Sequence, residues 1–219
     1  MLDARLRRLI DPPLDRAGQL VARSGVSADM VTVAGFALGL GGVAALAVEA
    51  YGTALALILV NRLFDGLDGA VARHRGPTDL GGYLDITLDF LFYNAVVFGF
   101  ALGRPEHALA AAFLLLSFVG TGTSFLAFAV LAAKRGRTTE IRGRKGLYSL
   151  GGLTEGTETI ALFVAICLWP DAFPWLAWGF GALCWLTTVA RVTAAVRTFG
   201  VGGSSGAIPS TSRGDGPAS

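Results

Sequence analysis

Six apolar stretches, at about 31–48, 53–73, 81–102, 108–133, 153–169 and 173–196, restrict the possible folds of this chain more than any other feature. Each approaches the roughly 20 residues that an α-helix needs to cross about 30 Å of hydrocarbon, so they are read as membrane spans before they are read as soluble core. Composition agrees. Of the 219 residues 53% are hydrophobic and 16% charged, and mean hydropathy is +0.59, values ordinary for a polytopic membrane protein and unusual for a soluble domain. The expected fold is all-α: six transmembrane helices, with an N-terminal amphipathic juxtamembrane helix ahead of them.

The expected organisation is an amphipathic segment at 1–27, one membrane domain at 28–199 and a tail at 200–219, whose Gly, Ser and Pro content predicts disorder. In the first segment Leu2, Leu6 and Ile10 recur at helical spacing among Arg5, Arg7, Arg8, Arg16 and Arg23; a solvated arm is the alternative. With Pro12 and Pro13 in its middle and no long apolar core, it does not fit a secretory signal peptide and is expected to stay in the mature protein. Cys167 and Cys184 both lie in apolar runs without metal-ligand spacing, which marks them as small buried hydrophobes.

A net charge of +2 is too mild to argue for a nucleic-acid partner, and the basic residues are sorted by membrane side instead. Arg73 and Arg75 flank the turn between the second and third stretches, and Lys134, Arg135, Arg137, Arg142, Arg144 and Lys145 crowd the loop between the fourth and fifth. Arg104 alone falls on the opposite side. The positive-inside rule then places both termini and both basic loops in the cytoplasm, with the chain integral to the plasma (inner) membrane.

The second and third stretches carry Arg62, Asp65, Asp68, Asp85 and Asp89. A mid-bilayer aspartate costs about 3 kcal/mol on insertion scales, so four unpaired ones would cost on the order of 10 kcal/mol, and function is the default explanation. Asp65 and Asp68 are i,i+3, and Asp85 and Asp89 are i,i+4, so each pair shares a helix face. At 1.5 Å per residue, Asp68 and Asp65 fall roughly 8 and 12 Å below Arg73, and Asp85 and Asp89 roughly 9 and 15 Å below Asp79. The pairs therefore meet at similar depth.

Four carboxylates from two antiparallel helices, without His or Cys, suit Mg²⁺ or Mn²⁺ better than zinc. Two such ions would neutralise the four acids and hold phosphate oxygens through a displacement, which points to phosphoryl chemistry. Gly69 stands one turn from Asp65 and Gly81 one turn from Asp85, neither with a side chain to obstruct a nucleotide, and Ala72 keeps the same face small. Arg73 offers a fork of donors suited to a diphosphate at the cytoplasmic mouth, and Thr78 a hydroxyl. Tight helix packing and the positive-inside bias are the alternatives for the small residues and for Arg73. Arg62 is expected to pair with the acids, and Arg191 to snorkel to the interface.

Taken together, Asp65-x2-Asp68-Gly69-x2-Ala72-Arg73 followed by Gly81-x3-Asp85-x3-Asp89 resembles the signature of the CDP-alcohol phosphotransferase (CDP-alcohol phosphatidyltransferase) family. The resemblance runs from residue 25 to about 198 and takes in the segment VSADMVT that ends at Thr32. It implies a homodimeric membrane enzyme that transfers a phosphatidyl-type group from a CDP-linked lipid to an acceptor alcohol and releases CMP. By the same resemblance Asp65, Asp68, Asp85 and Asp89 are metal ligands and Asp89 is also the general base for the acceptor hydroxyl. Ala28, Asp29, Met30, Val31, Gly69, Ala72, Arg73, Thr78 and Gly81 are implied to face the CDP portion. Three departures stand out: seven residues separate Arg73 from Gly81 where many members have eight, Ala28-Asp29 replaces a common Pro-Asn, and Phe90 follows Asp89 where Arg or Lys is frequent. None removes a metal ligand. The closest likeness is to a bacterial branch carrying the Gly151 to Thr159 stretch.

Within that stretch Glu155 and Glu158 are i,i+3 and are expected to bind a cationic or polyhydroxy acceptor, an acidic helix start being the alternative. Arg142 and Lys145 are the corresponding candidates for an anionic acceptor or for membrane lipid phosphates, with topology alone as the alternative. Two other enzyme-free or enzyme classes compete. A transporter with an aspartate-lined path has no need of Gly69, Ala72 and Arg73, and a membrane prenyltransferase wants two separated aspartate-rich motifs where this chain has one cluster. A purely structural cluster is disfavoured because Arg62 and Arg73 set two positive charges against four acids.

Overall fold

The structure, a computed structural model, describes residues 2–134 and 156–200, and of 2–10 the backbone only. Arg142, Lys145, Glu155 and the tail from residue 201 lie outside the described residues. Every regular element among the described residues is helical: α1 (Leu2–Arg23), α2 (Ala28–Ala47), α3 (Tyr51–Arg75), α4 (Asp79–Gly103), α5 (Ala108–Lys134), α6 (Gly156–Leu168) and α7 (Phe173–Phe199), with short 3-10 turns before α5 and α7. Local chemistry sets the boundaries. Ser27 caps α2 by accepting from the Met30 N–H at 3.2 Å, and Thr78 caps α4 by accepting from the Gly81 N–H at 3.0 Å. Gly76, at φ +94, ends α3 in a conformation that other residues rarely adopt.

Among the described residues four helices are long and apolar enough to cross a membrane: α2, α4, and α5 and α7 with their preceding turns. The other two expected spans differ for separate reasons. α3 has the length, with 25 residues, but carries Arg62, Asp65 and Asp68 within its apolar run. The described part of α6 has 13 residues, about 20 Å at 1.5 Å per residue, less than a full crossing.

α2 lies between α3 and α4, α5 pairs with α7, α1 lies along α3, and α6 sits against α3. The tight seat of α2 is made by missing side chains. A Cβ on Gly35 would stand 2.6 Å from the Phe64 Cβ, and one on Gly39 2.7 Å from the Phe92 ring. From the other side, a Cβ on Gly99 of α4 would meet the Val43 carbonyl oxygen at 2.8 Å. Small residues at these crossings let the backbones approach, which is how packing is gained where lipid supplies no hydrophobic drive between helices. Below the glycine seat a core of Leu46, Ile58, Phe92, Phe100, Phe163 and Phe173 joins α2, α3, α4, α6 and α7, with the Phe100 and Phe173 rings stacked at 4.0 Å. α2 thereby holds the charged segments of α3 and α4 side by side.

Candidate active site

All four aspartates line one open cavity, together with Thr32, Gly35 and Phe36 of α2, Asn61 and Arg62 of α3, and Leu88 of α4. The shared depth expected from helix geometry is therefore realised. The acids differ in their surroundings. Asp68 is buried, and the Thr32 hydroxyl donates to its Oδ2 at 2.6 Å. Asp65 and Asp89 keep 38% and 28% of their side-chain surface exposed, so both remain open to a ligand.

Arg62 pairs with the cluster as expected, and does so from a rigid bracket. Its Nη1 stands 2.7 Å from Asp89 Oδ1 and 3.8 Å from Asp65 Oδ2, with only 10% of the side chain exposed. The same nitrogen donates to Tyr93 Oη at 3.0 Å, while Nε and Nη2 both donate to Asn61 Oδ1. Asn61 is buried and donates in turn to the Gly35 carbonyl at 2.8 Å, which ties the bracket to α2. The guanidinium also lies over the Phe92 ring at 4.8 Å and the Tyr93 ring at 5.0 Å.

The remaining candidates sit nearer the mouth and do not line the cavity. A Cβ on Gly81 would stand 2.9 Å from Asp29 Oδ1 and 3.0 Å from Thr78 Oγ1, so the starts of α2 and α4 bring Asp29, Thr78 and Gly81 together. Gly69 and Arg73 adjoin on α3, where a Cβ on Gly69 would lie 3.8 Å from the Arg73 guanidinium; Ala72 is half-buried beside them. Met30 and Val31 diverge: Met30 is 61% exposed, whereas Val31 is buried. Two expectations are corrected. Arg73 is no counter-charge for the cluster, because its Nε stands 3.6 Å from Asp15 Oδ1 on α1, which also receives His74 at 3.2 Å. Arg191 does not snorkel; it is buried, and its Nη1 donates to the Thr121 carbonyl of α5 at 3.0 Å.

Among the described residues no three acidic, imidazole or thiol groups already stand together as a ligand set for an ion. Arg62 and Thr32 hold the carboxylates instead. The donor chemistry nonetheless fits a hard divalent cation, since four carboxylates line the cavity and Arg62 is the one cation among the lining residues. Four negative charges against one positive leave three uncompensated when all are ionised, and all the acids offer oxygen.

Of the acceptor candidates Glu158 is described, half-buried in the first turn of α6. α6 begins beside the cluster, where a Cβ on Gly156 would lie 3.6 Å from Tyr93 Oη. Thr32, Asn61 and Tyr93 are the site residues that reading the sequence missed. Each is an ordinary residue in an apolar run, and its role depends on which helix face meets which neighbour.

The family model described as CDP-alcohol phosphatidyltransferase matches residues 25–199. The chain is 53% identical over 193 residues to "Inner membrane protein YnjF" of Escherichia coli, covering 88% of this chain and 94% of the relative. It is 30% identical over 195 residues to the phosphatidylinositol phosphate synthase of Mycobacteroides abscessus, covering 85% and 82% of the two chains. Its fold is similar to that of the Mycobacterium tuberculosis phosphatidylinositol phosphate synthase with CDP-DAG bound, at 22% identity and a TM-score of 0.68 over 84% of this chain and 93% of that one. The same mycobacterial protein in complex with manganese and citrate matches with a TM-score of 0.66, at 22% identity over 82% of this chain and 87% of that one.

Proposed function

Because the chain belongs to the CDP-alcohol phosphatidyltransferase family, and so transfers a phosphatidyl-type group from a CDP-linked lipid to an alcohol with release of CMP, we propose how its residues divide that work. The observation that carries the assignment is the single cavity lined by Asp65, Asp68, Asp85 and Asp89 from α3 and α4. These four are assigned to divalent metal, Mg²⁺ or Mn²⁺, and a pair of such ions, when bound, offsets their charge and polarises the phosphoryl oxygens. Asp89 takes the proton of the acceptor hydroxyl. The oxygen so activated attacks the phosphorus that bears the lipid, the bond from that phosphorus to the CMP oxygen breaks, and CMP leaves with the electron pair.

The CDP portion is assigned to the mouth, where Asp29, Thr78 and Gly81 adjoin and Gly69 leaves room beside Arg73. Ala28 and Ala72 keep that surface small, and Met30 and Val31 contribute backbone. Glu158 is assigned to the acceptor side, supported by the start of α6 beside Tyr93; Glu155, Arg142 and Lys145 share that assignment from the sequence. The full arrangement proposed is six spans, α2 to α7, in the plasma membrane of a homodimer, with α1 as an amphipathic helix on the cytoplasmic face and both termini there. The basic cytoplasmic loops and the inner-membrane name of the E. coli relative support it.

The test is exchange of radiolabelled CMP into CDP-diacylglycerol by membranes that hold the protein and supply the acceptor alcohol and its phosphatidyl product, so that label enters by reversal of the transfer. EDTA is expected to abolish exchange, and Mn²⁺ or Mg²⁺ to restore it. Asp89→Asn is expected to lower it by about 100-fold or more, the usual scale for losing a general base. Metal-independent ion flux without exchange would instead support an aspartate-lined transporter.

A further inference from the structure

The guanidinium of Arg62 lies against the acids of the cluster, where positive charge is most needed. Its Nη1 contacts Asp89 Oδ1 at 2.7 Å and approaches Asp65 Oδ2 at 3.8 Å, two acids of the cluster that remain partly exposed. A buried ion pair of this kind is costly to leave half-made, so removing one partner strands the other. The bracket around Arg62 is also built from both sides. Asn61 Oδ1 accepts from Nε and Nη2, Tyr93 Oη accepts from Nη1, and two aromatic faces lie within 5.0 Å of the guanidinium carbon. Asn61 is locked in turn by the Gly35 carbonyl, at a point where a Cβ on Gly39 would stand 3.0 Å from its Nδ2. A side chain fixed by three neighbours does not swing away to make room for an ion.

Resting on the assignment of the four aspartates to divalent metal, we infer that Arg62 is a built-in counter-cation that holds Asp89 and Asp65 in the metal-free protein and competes with the metal for them. It is a positioning residue that acts through the carboxylates. Three consequences follow from charge alone. The four acids stay folded together without metal because one positive charge is always present. The site holds cations more weakly than four bare carboxylates would. Asp89 keeps Oδ1 committed to Arg62, which leaves Oδ2 for the acceptor or the ion.

The experiment is Mn²⁺ binding to the full-length protein in detergent, without nucleotide, read from the electron paramagnetic resonance signal of free Mn²⁺. Arg62→Met is expected to bind Mn²⁺ about tenfold more tightly or better, since a unit charge a few ångströms from the ion is removed from a partly buried site. Arg62→Lys keeps a charge but cannot fill the forked bracket, and is expected to fall between the two, about threefold tighter. In EDTA the thermal midpoint of Arg62→Met is expected to drop and to be restored by Mn²⁺ further than in the wild type. A merely structural arginine would move stability without tightening the metal. Equal or weaker Mn²⁺ binding in Arg62→Met overturns the inference; if that variant does not fold, equal or weaker binding in Arg62→Lys does so. No Mn²⁺ binding by the wild type, or binding by Asp85→Asn equal to that of the wild type, overturns the metal assignment itself and is thereby told apart.

Discussion

Thr32 shows how much a single hydroxyl does in a low-dielectric setting. It donates to Asp68 Oδ2 at 2.6 Å and also to the Ala28 carbonyl one turn back, so it fixes the orientation of the most buried acid of the cluster. A hydrogen bond to a charged group is worth about 1.5–3 kcal/mol, and Thr32→Val keeps the shape while removing the donor. That variant is expected to retain its fold, to lose between about tenfold and a hundredfold in CMP exchange, and to need more Mn²⁺ for half-maximal rate. An unchanged metal requirement would show that Asp68 does not depend on Thr32. Arg191 makes the complementary point. A cation deep in a helix bundle need not reach water when a neighbouring carbonyl, here that of Thr121, is turned towards it.

Between helices, the decisive feature is the glycine face of α2. Gly35 and Gly39 form a small-xxx-small pair, and the side chains that would clash there belong to Phe64 and Phe92. Gly39→Ala places a methyl 2.7 Å from the Phe92 ring and 3.0 Å from Asn61, so it pushes on the aromatic floor under Arg62 as well as on the helix crossing. Overpacking of this kind costs about 1–3 kcal/mol, and a lower thermal midpoint together with reduced exchange is expected. Gly52→Ala is the control, because a Cβ there meets nothing within 4 Å. It lies in the first turn of α3, and its midpoint is expected to stay level or rise slightly. A Gly39→Ala midpoint equal to that of Gly52→Ala would rule out the tight seat of α2.

Across the molecule, the two ends of the bundle are chemically distinct. At the end away from the cluster, Arg104 joins three turns by bonding Glu49 at 3.1 Å and Asp171, while Tyr51 also bonds Glu49. With Asp171 91% exposed, this clamp is a surface network worth no more than about 1 kcal/mol. At the other end Asp15 gathers Arg73 and His74, and Arg75 donates to the Val26 carbonyl at 3.1 Å, binding the end of α3 to α1 and to the turn before α2. The proposed topology puts this basic end in the cytoplasm. With buried Cys167 and Cys184 replaced by alanine, a cysteine at Gly52 is expected to react with a membrane-impermeant maleimide on intact cells, and one at Ser24 only after lysis. The reverse pattern would invert the topology.

Apolar run length and the i,i+3 and i,i+4 spacing of the acids made the helical class, the shared depth and the candidate ligands readable from the chain, because those depend only on helix geometry and the cost of charge in lipid. The partners of the charges were not readable. Arg62 and Arg73 look alike as cations on one helix, yet one turns inward to Asp89 and the other outward to Asp15. Thr32, Asn61 and Tyr93 carry no signal of their own. Their roles arise when glycines let α2 settle between α3 and α4, since a hydrogen bond needs its two atoms within about 3 Å and only packing brings residues from different helices that close.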